Sequence, residues 1–114
     1  MNTQTLLETY IENIIQIMTP YGSETGFIID NLIITNSHVC SGLREVVIKA
    51  EHFPRSIAKV IYDDPYYDLA FIKYEFKKPK NPLKLATSNV ENGDTTIAIG
   101  LAASNTKNSI CLML

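Results

Sequence analysis

The stretch Gly26-Phe27-Ile28-Ile29-Asp30-Asn31-Leu32-Ile33-Ile34-Thr35 sets two β-branched runs, Phe27 to Ile29 and Leu32 to Thr35, on either side of the turn-forming pair Asp30-Asn31. Runs this short, broken by two polar residues, carry the signature of strands joined by a tight turn. The same rhythm continues through Val46 to Ala50, Ile57 to Tyr62, Leu69 to Tyr74 and Thr95 to Ile99. It predicts an all-β fold, an antiparallel barrel or sandwich, rather than parallel strands crossed over by long helices. Upstream the period changes. Thr5-Leu6-Leu7-Glu8 reads as a capping box, and Leu6, Leu7, Tyr10, Ile11, Ile14 and Ile15 follow helical spacing, so a short amphipathic helix opens the domain. From Ile14 to Met18 the β-branched density marks a strand, closed by Thr19-Pro20-Tyr21-Gly22-Ser23. No second helix is expected, and the proline-punctuated, polar Phe76 to Pro82 reads as a surface connection.

Size and charge narrow the function classes. With 114 residues, 46% hydrophobic and 19% charged, the chain fits one ordinary globular domain with its own core. A formal net charge of −2, with Lys77, Lys78 and Lys80 as the one tight basic cluster, points to neither nucleic acid nor a membrane surface. That acidic balance also disfavours an unrelated small barrel of the OB type, which would bind nucleic acid. Cys40 and Cys111 lie far apart, and the triplet His38-Val39-Cys40 offers too few ligands for zinc, so no metal or other cofactor is expected. The start Met1-Asn2-Thr3-Gln4 lacks the features of a secretion signal, and no segment is long and apolar enough to span a membrane; a cytoplasmic location with reduced thiols is the expectation.

Two residues at strand ends draw attention as chemistry. His38 ends the run Ile33-Ile34-Thr35-Asn36-Ser37-His38-Val39, and Asp68 heads the apolar run Leu69-Ala70-Phe71-Ile72. Taken singly, each has a bland reading: a hydrogen-bonded structural histidine, and an aspartate capping a turn through its own backbone. Three blocks in order change the weighting. Gly22-Ser23-Glu24-Thr25-Gly26-Phe27-Ile28-Ile29-Asp30 resembles the glycine-rich entry to the second strand of HtrA (DegP-like) trypsin-like serine proteases. Ile33 to Val39 resembles their catalytic-histidine block, and Tyr67-Asp68-Leu69-Ala70-Phe71-Ile72-Lys73 resembles the block around their aspartate. Gly93-Asp94-Thr95-Thr96-Ile97-Ala98-Ile99-Gly100 is similar to the family's last stretch before its second barrel.

The resemblance implies the first β-barrel of a two-barrel trypsin-like fold, of six or seven strands, with residues 1–13 as a helix, 14–100 as the barrel and 101–114 as a divergent tail. It implies peptide-bond hydrolysis, with His38 as general base and Asp68 as the carboxylate that orients it. The third member is missing. The family's serine lies in a Gly-x-Ser-Gly-Gly-like loop, whereas Ser88, Ser104 and Ser109 have no glycine neighbours, and Cys111 is no better placed as a nucleophile. The isolated chain is therefore expected to be inactive.

Two classes remain: a serine endopeptidase whose second half is absent, acting on a polypeptide, and a non-catalytic protein- or peptide-binding module derived from one. A bare inter-barrel face would favour self-association or a protein partner. Elsewhere, Cys40 is expected as a buried small apolar group, Gly26 and Gly42 as turn or close-approach positions, Tyr62, Tyr66 and Tyr67 as the border of a cleft or as rim packing, and His52 as a solvated loop residue.

Overall fold

Residues 3–86, 88–89, 91–93, 98–101 and 110–113 are described by a computed structural model. Helix α1 (Thr3–Tyr10) runs into a short 3-10 turn (Ile11–Asn13), and strands β1 (Ile14–Thr19), β2 (Gly22–Ile29) and β3 (Leu32–Thr35) follow. A one-turn helix α2 (Ser37–Cys40) separates them from β4 (Glu45–Ala50), β5 (Phe53–Asp64) and β6 (Leu69–Lys73). All neighbours pair antiparallel in the order β1-β2-β3-β6-β5-β4, and β4 returns to β1 to close a six-stranded barrel. The all-β expectation holds, with six strands rather than seven.

Closure follows from alternation. A strand sends successive side chains to opposite faces, so in a closed sheet every second residue must fill the interior. Ile15 and Ile17 on β1, Ile33 on β3, Ile48 on β4 and Ile72 on β6 are all fully buried, and Val46 and Ala70 sit two residues from Ile48 and Ile72 on the same faces. The turn Asp30-Asn31 joins β2 to β3 with Ile29 opposite Leu32, as a two-residue hairpin loop requires. Asp30 takes a left-handed φ of 55°, which aspartate tolerates better than most residues. Gly26 is a close-approach position: a Cβ there would meet Ile17 Cδ1 and Ile33 Cγ2, each at 2.7 Å.

Several local expectations need correction. The helix begins at Thr3, ahead of the Thr5–Glu8 capping box, because Glu8 is engaged one turn earlier, accepting from Gln4 Nε2 at 3.0 Å. It stops before Ile14 because the buried Asn13 side chain turns back on the chain, donating to Tyr10 O at 3.4 Å and Asn81 O at 2.7 Å. A second helix, α2, does exist. Strand β5 is longer than the Ile57–Tyr62 apolar run, since main-chain pairing extends from Phe53 to Asp64 and takes in the exposed Pro54, Arg55 and Asp63.

His52 is not a solvated loop residue. It is half-buried, edge-on to Phe53 at 5.0 Å, with Nε2 2.9 Å from the Tyr74 hydroxyl. That hydroxyl donates to Lys77 O at 2.5 Å, so it must accept from His52 Nε2–H. Phe76, at the head of the expected surface connection, stacks on Phe53 at 4.3 Å. Burial raises the pKa of Tyr74 first, with the nearby Glu12 charge adding to it.

The last described strands, β7 (Ala98–Leu101) and β8 (Ile110–Met113), form a separate antiparallel pair with Gly100 opposite Cys111. Residues 94–97 of the expected Thr95–Ile99 strand, and residues 102–109 and 114 of the expected tail, lie outside the described residues.

Gly26→Ala is expected to destabilise the barrel by about 1–3 kcal/mol, because the added methyl forces two core isoleucines off their places. A guanidinium denaturation midpoint unchanged from the parent chain would contradict this.

Candidate functional site

The register of β3 against β6 sets the site. Leu32 pairs with Lys73 and Thr35 with Ala70, so the C-terminal end of β3 lies beside the N-terminal end of β6. His38 stands three residues beyond Thr35 and Asp68 two residues before Ala70, which brings them to one rim although 30 positions separate them. The local conformations complete the approach. Asn36 is extended, α2 makes a single turn, and it ends at Ser41 and Gly42, both left-handed at φ 50° and 77°. Ser41 holds the turn by donating from Oγ to His38 O at 2.7 Å.

On the other side, Asp64 Oδ1 accepts from the amides of Tyr66 and Tyr67 at 3.0 and 3.2 Å, an Asx turn that swings the chain round to Asp68. Asp68 takes φ 55°, and its carbonyl oxygen accepts from Asn36 Nδ2 at 3.0 Å. Both carboxylate oxygens are then spent on one residue: Oδ1 accepts from the His38 amide at 2.9 Å, and Oδ2 lies 2.8 Å from His38 Nδ1.

These hydrogen bonds decide the protonation states. The His38 amide, then the His38 ring, hold the Asp68 carboxyl below its ordinary value of 3.8, with the Ser37 amide contributing least. The group is therefore ionised at neutral pH and can only accept. Nδ1 must carry the hydrogen and donate, which leaves the lone pair of a neutral ring on Nε2. The His38 side chain is 67% exposed, and Nε2 has no hydrogen-bond partner among the described residues. An imidazole so held accepts a proton at Nε2, while the carboxylate behind it stabilises the resulting cation.

Around this pair the structure sorts the other candidates. Cys40 is fully buried and free; burial, then the charge of Asp63, raises its pKa, so it is no activated thiol. Tyr66 and Tyr67 meet edge-on at 4.8 Å and are 87% and 70% exposed, and Tyr62 stacks on Phe71 at 5.4 Å. Of the serines after Asp68, Ser88 is exposed and Ser104 and Ser109 lie outside the described residues. Among the described residues, no three His, Cys, Asp or Glu side chains come together as a metal site. Sequence reasoning missed Asn36, Ser37, Asp63 and Asp64 as partners of the rim; the Asp-Asp-Pro turn at 63–65 was the available signal for Asp64.

No family model matches the chain. Curated relatives do. A probable periplasmic serine endoprotease, DegP-like, of Rickettsia prowazekii is 38% identical over 84 residues, covering 71% of this chain and 16% of the relative. The putative serine protease HhoA of Synechocystis is 39% identical over 83 residues, covering 69% and 21%. The periplasmic serine endoprotease DegP of Salmonella typhimurium is 34% identical over 80 residues, covering 67% and 17%. The chain belongs to the HtrA-type trypsin-like proteases.

Solved structures agree on the fold of this HtrA-type domain. The HtrA-type protease AlgW, solved with a tripeptide, superposes with a TM-score of 0.78 at 19% identity, over 98% of this chain and 38% of AlgW. A human astrovirus serine protease gives a TM-score of 0.65 at 30% identity, over 89% of this chain and 59% of its own. The HtrA-type chain spans only about a sixth to a fifth of the length of the curated relatives it matches.

The sign of the pH dependence at the rim follows from Asp68. Its carboxyl is depressed in the folded state, so the clamp on the His38 amide is intact above the ordinary value of 3.8 and is lost as pH falls through the lower folded value. Carboxyl carbon NMR is expected to give a midpoint below 3.8 for Asp68. In Asp68→Ala the His38 amide is expected to exchange with solvent several-fold faster than in the parent; equal exchange would mean the amide is not held by this carboxylate.

Proposed function

We propose that this chain supplies the base and the orienting carboxylate of a serine endopeptidase, His38 and Asp68, and that the nucleophilic hydroxyl comes from outside these 114 residues. The observation that carries the reading is the double grip of Asp68: one oxygen on the His38 amide, the other on Nδ1, with Nε2 facing outward. A serine hydroxyl is a weak nucleophile until such a nitrogen accepts its proton. The same proton then goes to the leaving amine, so the ring acts as base and acid in turn. Protein substrates are part of this proposal, in keeping with the protease names of the relatives.

Without an activated hydroxyl the pair does no hydrolysis. Loss of the nucleophile from a triad costs on the order of 10⁶ in turnover, and the oxyanion donors that accompany it would be absent too. A fluorophosphonate probe is expected to leave the 114-residue chain unlabelled. In a longer chain that adds a Gly-x-Ser-Gly-Gly-like loop, labelling is expected at that serine. His38→Ala should there reduce peptide hydrolysis by about 10⁶, and Asp68→Asn by about 10⁴. Labelling of the short chain, or full activity in His38→Ala, would overturn the assignment.

A further inference from the structure

The β5–β6 pairing is irregular where it approaches the rim. Val60 faces Ile72, but Tyr62, not Ile61, faces Phe71, so one extra residue is inserted between Val60 and Tyr62. Ala58 is buried, and Val60 packs against the core two residues on. Uninterrupted alternation would next turn Tyr62 inward and Asp63 outward. The bulge changes this pairing: Asp63 comes to stand opposite the fully buried Ala70, and both Asp63 and Tyr62 are exposed. Asp63 thereby reaches α2, where its Oδ1 accepts a hydrogen bond from Ser37 Oγ; Ser37 itself is buried. Asn36, Ser37 and His38 are thus each tied by a side chain to one return of the chain: Asn36 and His38 to Asp68, and Ser37 to Asp63.

We infer that Asp63 is a positioning residue for His38, acting through Ser37. The clamp at Asp68 is open to water, and its two hydrogen bonds fix the ring only if the backbone of Ser37 and His38 stays in place. Asp63 supplies the second fixed point from β5, a strand that belongs to the barrel wall. What it contributes is an acceptor at a set place rather than a charge, so an amide oxygen at the same position performs the same service. The inference deepens the proposed base role of His38, yet its claim concerns ring orientation and holds whether or not a serine is ever supplied.

The test reads the imidazole directly in the isotope-labelled 114-residue chain. In the parent, long-range proton–nitrogen correlations are expected to show His38 with its hydrogen on Nδ1 and a slowly exchanging Nδ1–H resonance. Asp63→Ala and Ser37→Ala are each expected to lose that resonance and mix the two tautomers, while the His52 Nε2–H signal, held by Tyr74 inside the same barrel, stays as in the parent. Asp63→Asn is expected to restore the parent spectrum of His38. Persistence of the Nδ1–H resonance in Asp63→Ala would overturn the inference. So would failure of Asp63→Asn to restore it, or loss of the His52 signal in both alanine variants, which would reduce the pair to a general fold contact. Fluorophosphonate labelling reports separately on the protease reading, so the two ideas fail independently.

Discussion

The antiparallel register of β3 on β6 ties the core to the rim. With Thr35 opposite Ala70, the inward residues of both strands, Ile33 and Ile72, face each other in the interior, and the ends of the strands deliver His38 and Asp68 to one place. A slip of one residue would turn the whole inward set of a strand toward solvent, so burial enforces the pairing strongly. The same slip would carry the imidazole past its carboxylate. Core packing and site geometry are therefore one constraint, met by the same set of main-chain hydrogen bonds, and the exposed pair at the rim needs little stabilisation of its own.

Two carboxylates divide the work around α2. Asp68, left-handed, uses both oxygens on His38. Asp63, set opposite Ala70 by an insertion in β5, binds the residue just before the histidine. Asp64, between them, spends one oxygen on two turn amides. Three acidic side chains within six residues would repel if gathered at one point. Here each is spent on separate donors.

Much of this was legible in the sequence because it is written in alternation and punctuation. The Asp30-Asn31 turn between two β-branched runs announced a hairpin, and the ordered blocks around Gly26, His38 and Asp68 announced the family that the relatives later showed. Helix α2 escaped because four residues form a single turn, too short for a 3.6-residue period to register. The reach of Asp63 to Ser37 escaped because a bulge is one residue of extra length in an otherwise regular strand, visible only once the partner strand is in register. His52 was misread from its polar neighbours. Its environment is built by Tyr74 and Phe53, one of them distant in sequence and reached only through the closed sheet.

Cys40 closes α2 with its thiol fully buried beneath the rim and its ionisation discouraged by that burial and by the neighbouring Asp63. Thiolate is the form that alkylating reagents attack, so the folded chain shields this sulfur twice, by occlusion and by withholding the reactive species. The rate at which iodoacetamide modifies Cys40 is consequently a clock for transient lifting of the histidine turn, read without reference to any catalysis.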